Sequence, residues 1–169
     1  MTVSAWLNSE LEQSSPALMV VAGLLLLVLG WTVRFGVGAP YRMLLELGVG
    51  DIVPSVWLMA LLWSIELFTV GCAAGFVLGY RERGCIGEKY KGCMFVLLLA
   101  LMELLWYPTF FSLGLIFLSV LLSILILCLS VAVTAIFYRI SKFAGMILLL
   151  HDIWLIYMLV LNFFVLFRA

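Results

Sequence analysis

Apolar residues gather into five long stretches, separated by polar or glycine-rich segments. The stretches cover residues 17–35, 53–79, 94–111, 113–137 and 143–167. Each is close to the roughly 20 residues that a helix needs to cross a bilayer. They are longer than the strands of a membrane barrel and do not alternate between apolar and polar positions. The pattern therefore predicts an all-α integral membrane protein, a five-transmembrane-helix bundle.

The segments around these stretches predict how the bundle is connected. Residues 1–16 are polar and end in Ser-Ser-Pro, which indicates a short polar N-terminal tail before a single transmembrane domain at 17–169. The glycine-rich loop at 36–52 is long enough to fold over one end of the bundle. Only residues 111–114 separate the third and fourth stretches, which predicts a tight reversal between antiparallel neighbours.

Composition supports a membrane protein and excludes nucleic acid as a partner. Hydrophobic residues make up 67% of the 169 positions and charged residues 11%. A soluble domain of this size has too little interior to bury so much apolar surface. The formal net charge is zero and no basic block is present, so nothing is available to neutralise a phosphate backbone. Because Glu10 and Glu12 precede the first stretch and no Lys or Arg does, we expect a retained helix rather than a signal peptide.

Four ionisable residues fall inside the apolar stretches. These are Glu66, Glu103, His151 and Asp152. An ionisable group at this depth costs at least about 2.5–3.5 kcal/mol on insertion scales, so each should face the bundle interior. The interior is therefore where a functional site is expected.

Three of the stretches place a tryptophan three residues from an ionisable group. The pairs are Trp63 and Glu66, Trp106 and Glu103, and Trp154 and His151. Phe110, Met158 and Asn162 continue the same helical stripes. Converging indoles with polar anchors suit a flat aromatic ligand that has a polar edge. The alternative is helix packing, in which the polar groups bond to neighbouring helices and the tryptophans supply bulk.

The ionisable residues do not have the spacing of a known metal or catalytic motif. Three carboxylates and one imidazole are chemically able to bind a metal. However, the residues three positions after Glu66 and Glu103 are Thr69 and Trp106, so the ExxH pair of di-iron helical bundles is missing. The spacing predicts no metal site, no catalytic residue and no required cofactor.

Three glycines at intervals of four residues lie near the end of the second stretch. Gly71, Gly75 and Gly79 form a GxxxGxxxG run, which lets another helix approach to backbone contact. The approaching helix is either in the same bundle or in a second copy of the chain.

Several sequence blocks resemble those of one family. LALMELLWYPTFF at 99–111 is similar to LALNxxWxPxFF, FYRISKFAG at 137–145 to FYRVSxLAG, and LLLHDIWLIYMLVLN at 148–162 to LLxPYxxWxxxAxxLN. Upstream, PSVW at 54–57 followed by Trp63 is similar to PPxWxxGxxWT. Together these blocks resemble the translocator protein family, also called tryptophan-rich sensory proteins or peripheral benzodiazepine receptors. The match spans about 130 residues and is strongest in the C-terminal half.

The resemblance implies a pocket and the residues around it. Members are five-helix bundles, often dimeric, whose pocket opens beneath the first loop and accepts porphyrins, sterol-like lipids or synthetic aromatic drugs. Trp63 and Trp154 match the family tryptophans associated with that pocket, and Trp106 and Asn162 also match family positions. By the same resemblance Tyr41 and the first loop would close the entrance.

The departures from the family pattern fall where ligand specificity is expected. Glu103 stands where the family usually has asparagine, and Leu150-His151 replaces a Pro-Tyr pair. His151 is chemically able to ligate haem iron or to bond a porphyrin carboxylate. Hydrogen bonding within the bundle is its simpler role.

The sequence therefore predicts a non-enzymatic membrane protein that binds a porphyrin or sterol-like ligand between its helices. One alternative is a ligand-free structural subunit of a larger membrane complex, and another is an enzyme acting through Glu66, Glu103 and Asp152. The expected partners are membrane lipid, a hydrophobic small molecule, and either a second copy or other membrane subunits. The expected setting is a mitochondrial membrane, with a bacterial membrane as the alternative. The predicted ligand-binding residues are Tyr41, Trp63, Glu66, Glu103, Trp106, Phe110, His151, Trp154, Met158 and Asn162.

Overall fold

The protein is a helical bundle in the computed structural model, which describes residues 3–37, 44–46, 53–81 and 86–168. Five of its helices are long and apolar enough to cross a membrane. No strand occurs in the ranges just given, and the prediction of an all-α, five-helix membrane protein is confirmed. The helices are α1 (Val3–Glu12), α2 (Pro16–Val37), α3 (Val56–Gly79), α4 (Ile86–Phe111), α5 (Ile116–Ile140) and α6 (Lys142–Arg168).

The N-terminal segment, predicted only as a polar tail, contains helix α1 and contacts the bundle. The Ser14 hydroxyl donates a hydrogen bond of 2.7 Å to the Phe76 carbonyl oxygen. The Arg81 backbone N–H donates to the Gln13 carbonyl oxygen at 2.9 Å. The Ser141 hydroxyl donates to the Glu10 carboxylate at 2.6 Å. These bonds hold the segment against the ends of α3 and α5.

The surface of the bundle is apolar, as a lipid solvent requires. Trp57, Phe35 and Phe167 are 86%, 77% and 83% exposed. The interior is also apolar, with Phe76 and Phe137 fully buried. Because the lipid-facing side and the core-facing side of each helix are both largely apolar, hydropathy alone cannot tell them apart. The contacts between helices show which residues face the core.

The glycine run of α3 receives α2 of the same chain. A Cβ atom on Gly71 would lie 2.5 Å from the Ala22 carbonyl oxygen, and one on Gly75 would lie 2.3 Å from the Leu18 carbonyl oxygen. No side chain fits at such distances, so the two backbones touch. α2 and α3 accordingly form one of the most extensive helix contacts in the bundle.

Helices α5 and α6 are joined by polar contacts at membrane depth. The Ser130 hydroxyl donates to one oxygen of the Asp152 carboxylate. The Thr134 hydroxyl donates to the other oxygen at 2.9 Å. Both oxygens of the buried carboxylate are therefore satisfied, and Asp152 serves helix packing.

The reversal between α4 and α5 is short. The backbone N–H groups of Ser112 and Leu113 donate to the Pro108 carbonyl oxygen at 2.9 and 3.0 Å. Gly114 then has φ +63°, a left-handed conformation that glycine adopts without strain. The turn sets α4 and α5 side by side.

Replacing Gly75 by alanine should destabilise the α2–α3 contact. The new methyl group meets backbone atoms of α2, which cannot move aside as a side chain would. We expect a loss of about 1–3 kcal/mol, the usual range for overpacking, seen as a lower midpoint of thermal unfolding in detergent. Gly36→Ala is the control, because no atom lies within 4 Å of a Cβ placed there. Equal midpoints for the two variants would contradict the contact.

Replacing Thr134 by valine should weaken the α5–α6 contact without changing side-chain volume. The change leaves one Asp152 oxygen without its donor, at a cost of about 0.6–1.7 kcal/mol for an interhelical hydrogen bond in a membrane protein. Thr32→Val is the matched control, because the Thr32 hydroxyl donates to Val28 of its own helix at the surface. The loss is measured as a lower midpoint of thermal unfolding in detergent. A loss no larger in Thr134→Val than in Thr32→Val would exclude a contribution from this contact.

Candidate functional site

Three tryptophans from different helices converge on one interior space. Trp63 of α3, Trp106 of α4 and Trp154 of α6 all line two adjoining cavities of about 40 and 30 Å³. We call these two cavities together the chamber. Met158, one helical turn beyond Trp154, lines both parts as well. The stripes inferred from helical spacing therefore meet inside the bundle, whereas Trp57, at 86% exposure, faces outward.

The upper part of the chamber lies under the first loop. Leu44, in the short described piece of that loop, is 1% exposed and lines the cavity. Among the described residues, Arg34 in the last turn of α2 contributes the one charged side chain to this wall. The described lining residues are Arg34, Leu44, Val56, Met59, Trp63, Trp106, Tyr107, Phe111, Trp154 and Met158.

The Arg34 guanidinium is held over aromatic rings. Its central carbon lies 5.1 Å from the centroid of the Trp31 ring and 5.9 Å from that of Trp63. Both distances lie within the range of a cation–π interaction. The guanidinium keeps its N–H donors for a second partner, since ring faces do not use them as a carboxylate would.

The aromatic wall of the chamber is stacked. The rings of Trp63 and Tyr107 lie 4.9 Å apart at an interplanar angle of 25°. Trp106 stacks on Phe110 at 5.2 Å and 15°, and its indole N–H donates to the Ser119 carbonyl oxygen at 3.2 Å. Trp106 is thus fixed between α4 and α5, while Trp63 is held by stacking.

The floor of the chamber is a buried cluster of two carboxylates and one imidazole. Nδ1 of His151 lies 2.8 Å from Oε1 of Glu66, and Nε2 lies 3.0 Å from Oε1 of Glu103. The three residues come from α3, α6 and α4, and all are at least nine-tenths buried. We call them the Glu–His–Glu cluster. It connects the same three helices that carry the chamber tryptophans.

The contacts within the Glu–His–Glu cluster leave hydrogen-bonding capacity unused. Both nitrogen–oxygen distances fall in the hydrogen-bonding range, but neither contact is aligned as a hydrogen bond. The second oxygen of Glu66 and both oxygens of Glu103 have no hydrogen-bond partner in the described part of the chain. Buried polar atoms in native proteins are nearly always satisfied, so these oxygens need an explanation.

A second, wider space reaches the cluster from the lipid side. A cleft of about 330 Å³ lies between α3 and α6, and Glu66, His151 and Trp154 are among its lining residues. Ile65 and Ile153, at the same cleft, are exposed to the membrane. Trp154 lines the cleft as well as the chamber and so stands between them.

The predicted site residues separate into those that line the chamber and those that support it. Glu66 and Glu103 line its lower part, whereas His151 lines the outer cleft. Phe110 supports Trp106 from behind. The Asn162 amide donates to the Ser123 hydroxyl at 3.1 Å and to the Met158 carbonyl oxygen at 2.7 Å. Tyr41 lies outside the described residues.

Several residues that line the chamber were not predicted from the sequence, and Arg34, Tyr107 and Leu44 are the most informative of them. Arg34 counted only toward the charge balance, although a lone cation in the last turn of an apolar helix is a signal in itself. Tyr107 lies four residues after Glu103, so helical spacing places it on the same face and could have identified it. Leu44 reaches the chamber from a loop, where helical periodicity gives no guidance.

The chamber is nearly filled by its own side chains. Its two parts hold about 40 and 30 Å³, whereas sites for drug-sized ligands occupy roughly 300–1,000 Å³. A porphyrin or sterol therefore requires movement of the lining. Trp106 is fixed by a hydrogen bond to another helix, whereas the Trp63–Tyr107 stack and Trp154 are held by ring contacts.

Comparison with known proteins gives one clear match. The model of the family described as TspO/MBR matches residues 23–168, nearly the whole chain. No curated protein and no solved structure matches the sequence. The family match agrees with the resemblance seen in the sequence blocks and with the five apolar helices. The chain belongs to the TspO/MBR family.

Proposed function

We propose that the chain is a membrane receptor for a flat hydrophobic ligand of the porphyrin class, which it binds in the chamber. The observation that carries the proposal is the convergence of Trp63, Trp106 and Trp154 on one interior space. Indole faces supply a large rigid area for a planar ring system, and a bilayer delivers apolar ligands at high local concentration. We propose a binding function rather than catalysis.

Arg34 favours a porphyrin over a sterol. Its guanidinium lies at the wall of the chamber and is suited to pair with a carboxylate in a bidentate manner. Natural porphyrins carry carboxylate side chains on an otherwise apolar ring, whereas a sterol offers only a hydroxyl group. A porphyrin with its ring among the tryptophans and a carboxylate at Arg34 matches both features.

Binding requires the chamber to open. We propose that the ring system inserts between Trp63 and Tyr107, so that each of these rings stacks on the ligand instead of on the other. Trp154 separates the chamber from the 330 Å³ cleft, and its rotation would join the two spaces. The exchange explains how a nearly filled chamber is compatible with a large ligand.

The proposed setting is a mitochondrial membrane, with a bacterial membrane as the alternative. Lipid contacts the apolar exterior, and a second copy of the chain or another subunit would bind there as well. A ligand-free structural subunit remains the competing function. Titration with porphyrin distinguishes such a subunit from a receptor, because the subunit would bind porphyrin at no defined site.

The first test is a titration of the detergent-solubilised protein with protoporphyrin IX. Binding should saturate, as read from the absorption band of the porphyrin itself. Trp63→Phe and Trp154→Phe should each raise Kd by roughly two- to tenfold, which corresponds to about 0.5–1.5 kcal/mol of aromatic contact. Trp57→Phe is the control, because Trp57 is 86% exposed and is not among the residues that line the chamber. Binding that never saturates, or that all three variants leave unchanged, would favour the structural subunit.

The second test concerns the carboxylate anchor. Arg34→Gln should raise Kd for protoporphyrin IX by about tenfold to a hundredfold, the loss of roughly one charged hydrogen-bonded contact. The same variant should bind the dimethyl ester of protoporphyrin as well as the native chain does. Arg139→Gln, an exposed arginine at the other end of the bundle, is the control. If Arg34→Gln weakens binding of the acid and of the ester equally, the guanidinium does not bind the carboxylate.

A further inference from the structure

We propose that Glu66, Glu103 and His151 form a binding site for one divalent transition-metal ion. Each residue offers one ligand atom, and the three atoms all lie within 4.8 Å of one another. The carboxylates and imidazole come from α3, α4 and α6, so an ion here would tie together three helices. This inference goes beyond the proposed function, because it concerns the floor of the chamber and needs no porphyrin.

The arrangement is close to what coordination needs. Ligand atoms about 2.0–2.2 Å from a tetrahedral ion lie roughly 3.4 Å from one another. The contact between Nε2 of His151 and Oε1 of Glu103, at 3.0 Å, is already that short. Glu66 contacts the other ring nitrogen, Nδ1, so its carboxylate must turn toward Nε2 before all three residues can share one ion.

Charge also favours a cation at this position. Two ionised carboxylates with a neutral imidazole carry a formal charge of −2. Uptake of either two protons or one divalent ion brings the Glu–His–Glu cluster to zero. Buried charges in proteins are paired or coordinate metals, because an uncompensated charge is costly in a medium of low dielectric constant.

The unused oxygens provide an independent indication of a ligand. One oxygen of Glu66 and both oxygens of Glu103 are buried without a hydrogen-bond partner in the described part of the chain. By contrast, Asp152, next to His151, has both of its oxygens bonded by Ser130 and Thr134. The carboxylates with oxygens that lack a hydrogen-bond partner are thus the two that contact the imidazole. This pattern is expected where a cation is missing.

The site would keep an open position. Glu66 and Glu103 line the lower, 30 Å³ part of the chamber, which has room for water next to their carboxylates. Three protein ligands with a water in the remaining position is the arrangement of reactive zinc sites, whereas closed structural sites have four protein ligands. An ion here would therefore be accessible to a ligand in the chamber.

The donor set selects the class of ion. Two carboxylate oxygens and one imidazole nitrogen suit Zn²⁺, Mn²⁺, Fe²⁺ or Co²⁺, whereas the absence of thiolate disfavours Cu⁺. Mg²⁺ prefers oxygen ligands and several waters. The prediction of no metal site rested on spacing within single helices, and this cluster is assembled from three.

The test is metal binding by the intact chain in detergent after chelator treatment. We expect the native protein to take up one Zn²⁺ per chain, counted by mass spectrometry of the metal after desalting. X-ray absorption at the zinc edge should show oxygen and nitrogen neighbours with the signature of one imidazole. Mg²⁺ should not displace the bound Zn²⁺.

Single substitutions in the Glu–His–Glu cluster identify the ligands. Glu103→Gln and His151→Gln should each weaken Zn²⁺ binding by at least about tenfold, the lower end of the effect seen even for residues that only orient metal ligands. Glu88→Gln, an exposed carboxylate in the first turn of α4, is the control and should bind as the native chain does. Thermal unfolding without metal shows whether each variant is folded.

Three results would overturn the site. One is a native chain that takes up no Zn²⁺. Another is affinity within about twofold of the native value in both cluster variants. The third is a sulfur neighbour in the absorption spectrum, which would place the ion on a cysteine and is decided on the native protein even if a variant fails to fold. Because no porphyrin is present, these results leave the proposed function untouched.

Discussion

Two carboxylates lie at membrane depth in this bundle, where an uncompensated charge costs several kcal/mol. Glu66 and Glu103 come from different helices, and the imidazole of His151 from a third helix lies between them, 2.8 and 3.0 Å from their oxygens. The contact compensates the acidic groups only if α3, α4 and α6 stay in register. The Glu–His–Glu cluster therefore constrains the relative positions of the helices that form the site.

The chamber depends on that constraint. Trp63, Trp106 and Trp154 each lie three residues from a member of the cluster, so the helix positions that bring the cluster together also bring the indoles together. Glycine contacts between α2 and α3 place Arg34 at the opposite end of the same space. A site with an acidic floor, an aromatic wall and a cationic rim follows from ordinary helix packing.

The sequence predicts the fold and the convergence of the site better than its details. The lengths of the apolar stretches identify five helices, and helical spacing within them identifies the chamber tryptophans. Both features can be seen in a short segment of sequence. Spacing along the sequence cannot show that Asp152 accepts hydrogen bonds from hydroxyls of α5. Nor can it show that His151 contacts carboxylates of α3 and α4. Those assignments depend on helix rotation, which hydropathy does not fix when lipid and core are equally apolar.

The chain contains a single histidine, so the cluster can be observed directly without assignment of other residues. The decisive measurement is the ¹⁵N NMR spectrum of histidine-labelled protein in lipid bilayers. The account predicts that Glu66→Gln shifts mainly the Nδ1 resonance and Glu103→Gln mainly the Nε2 resonance. Two resonances that match free imidazole and respond to neither substitution would show that the cluster does not form.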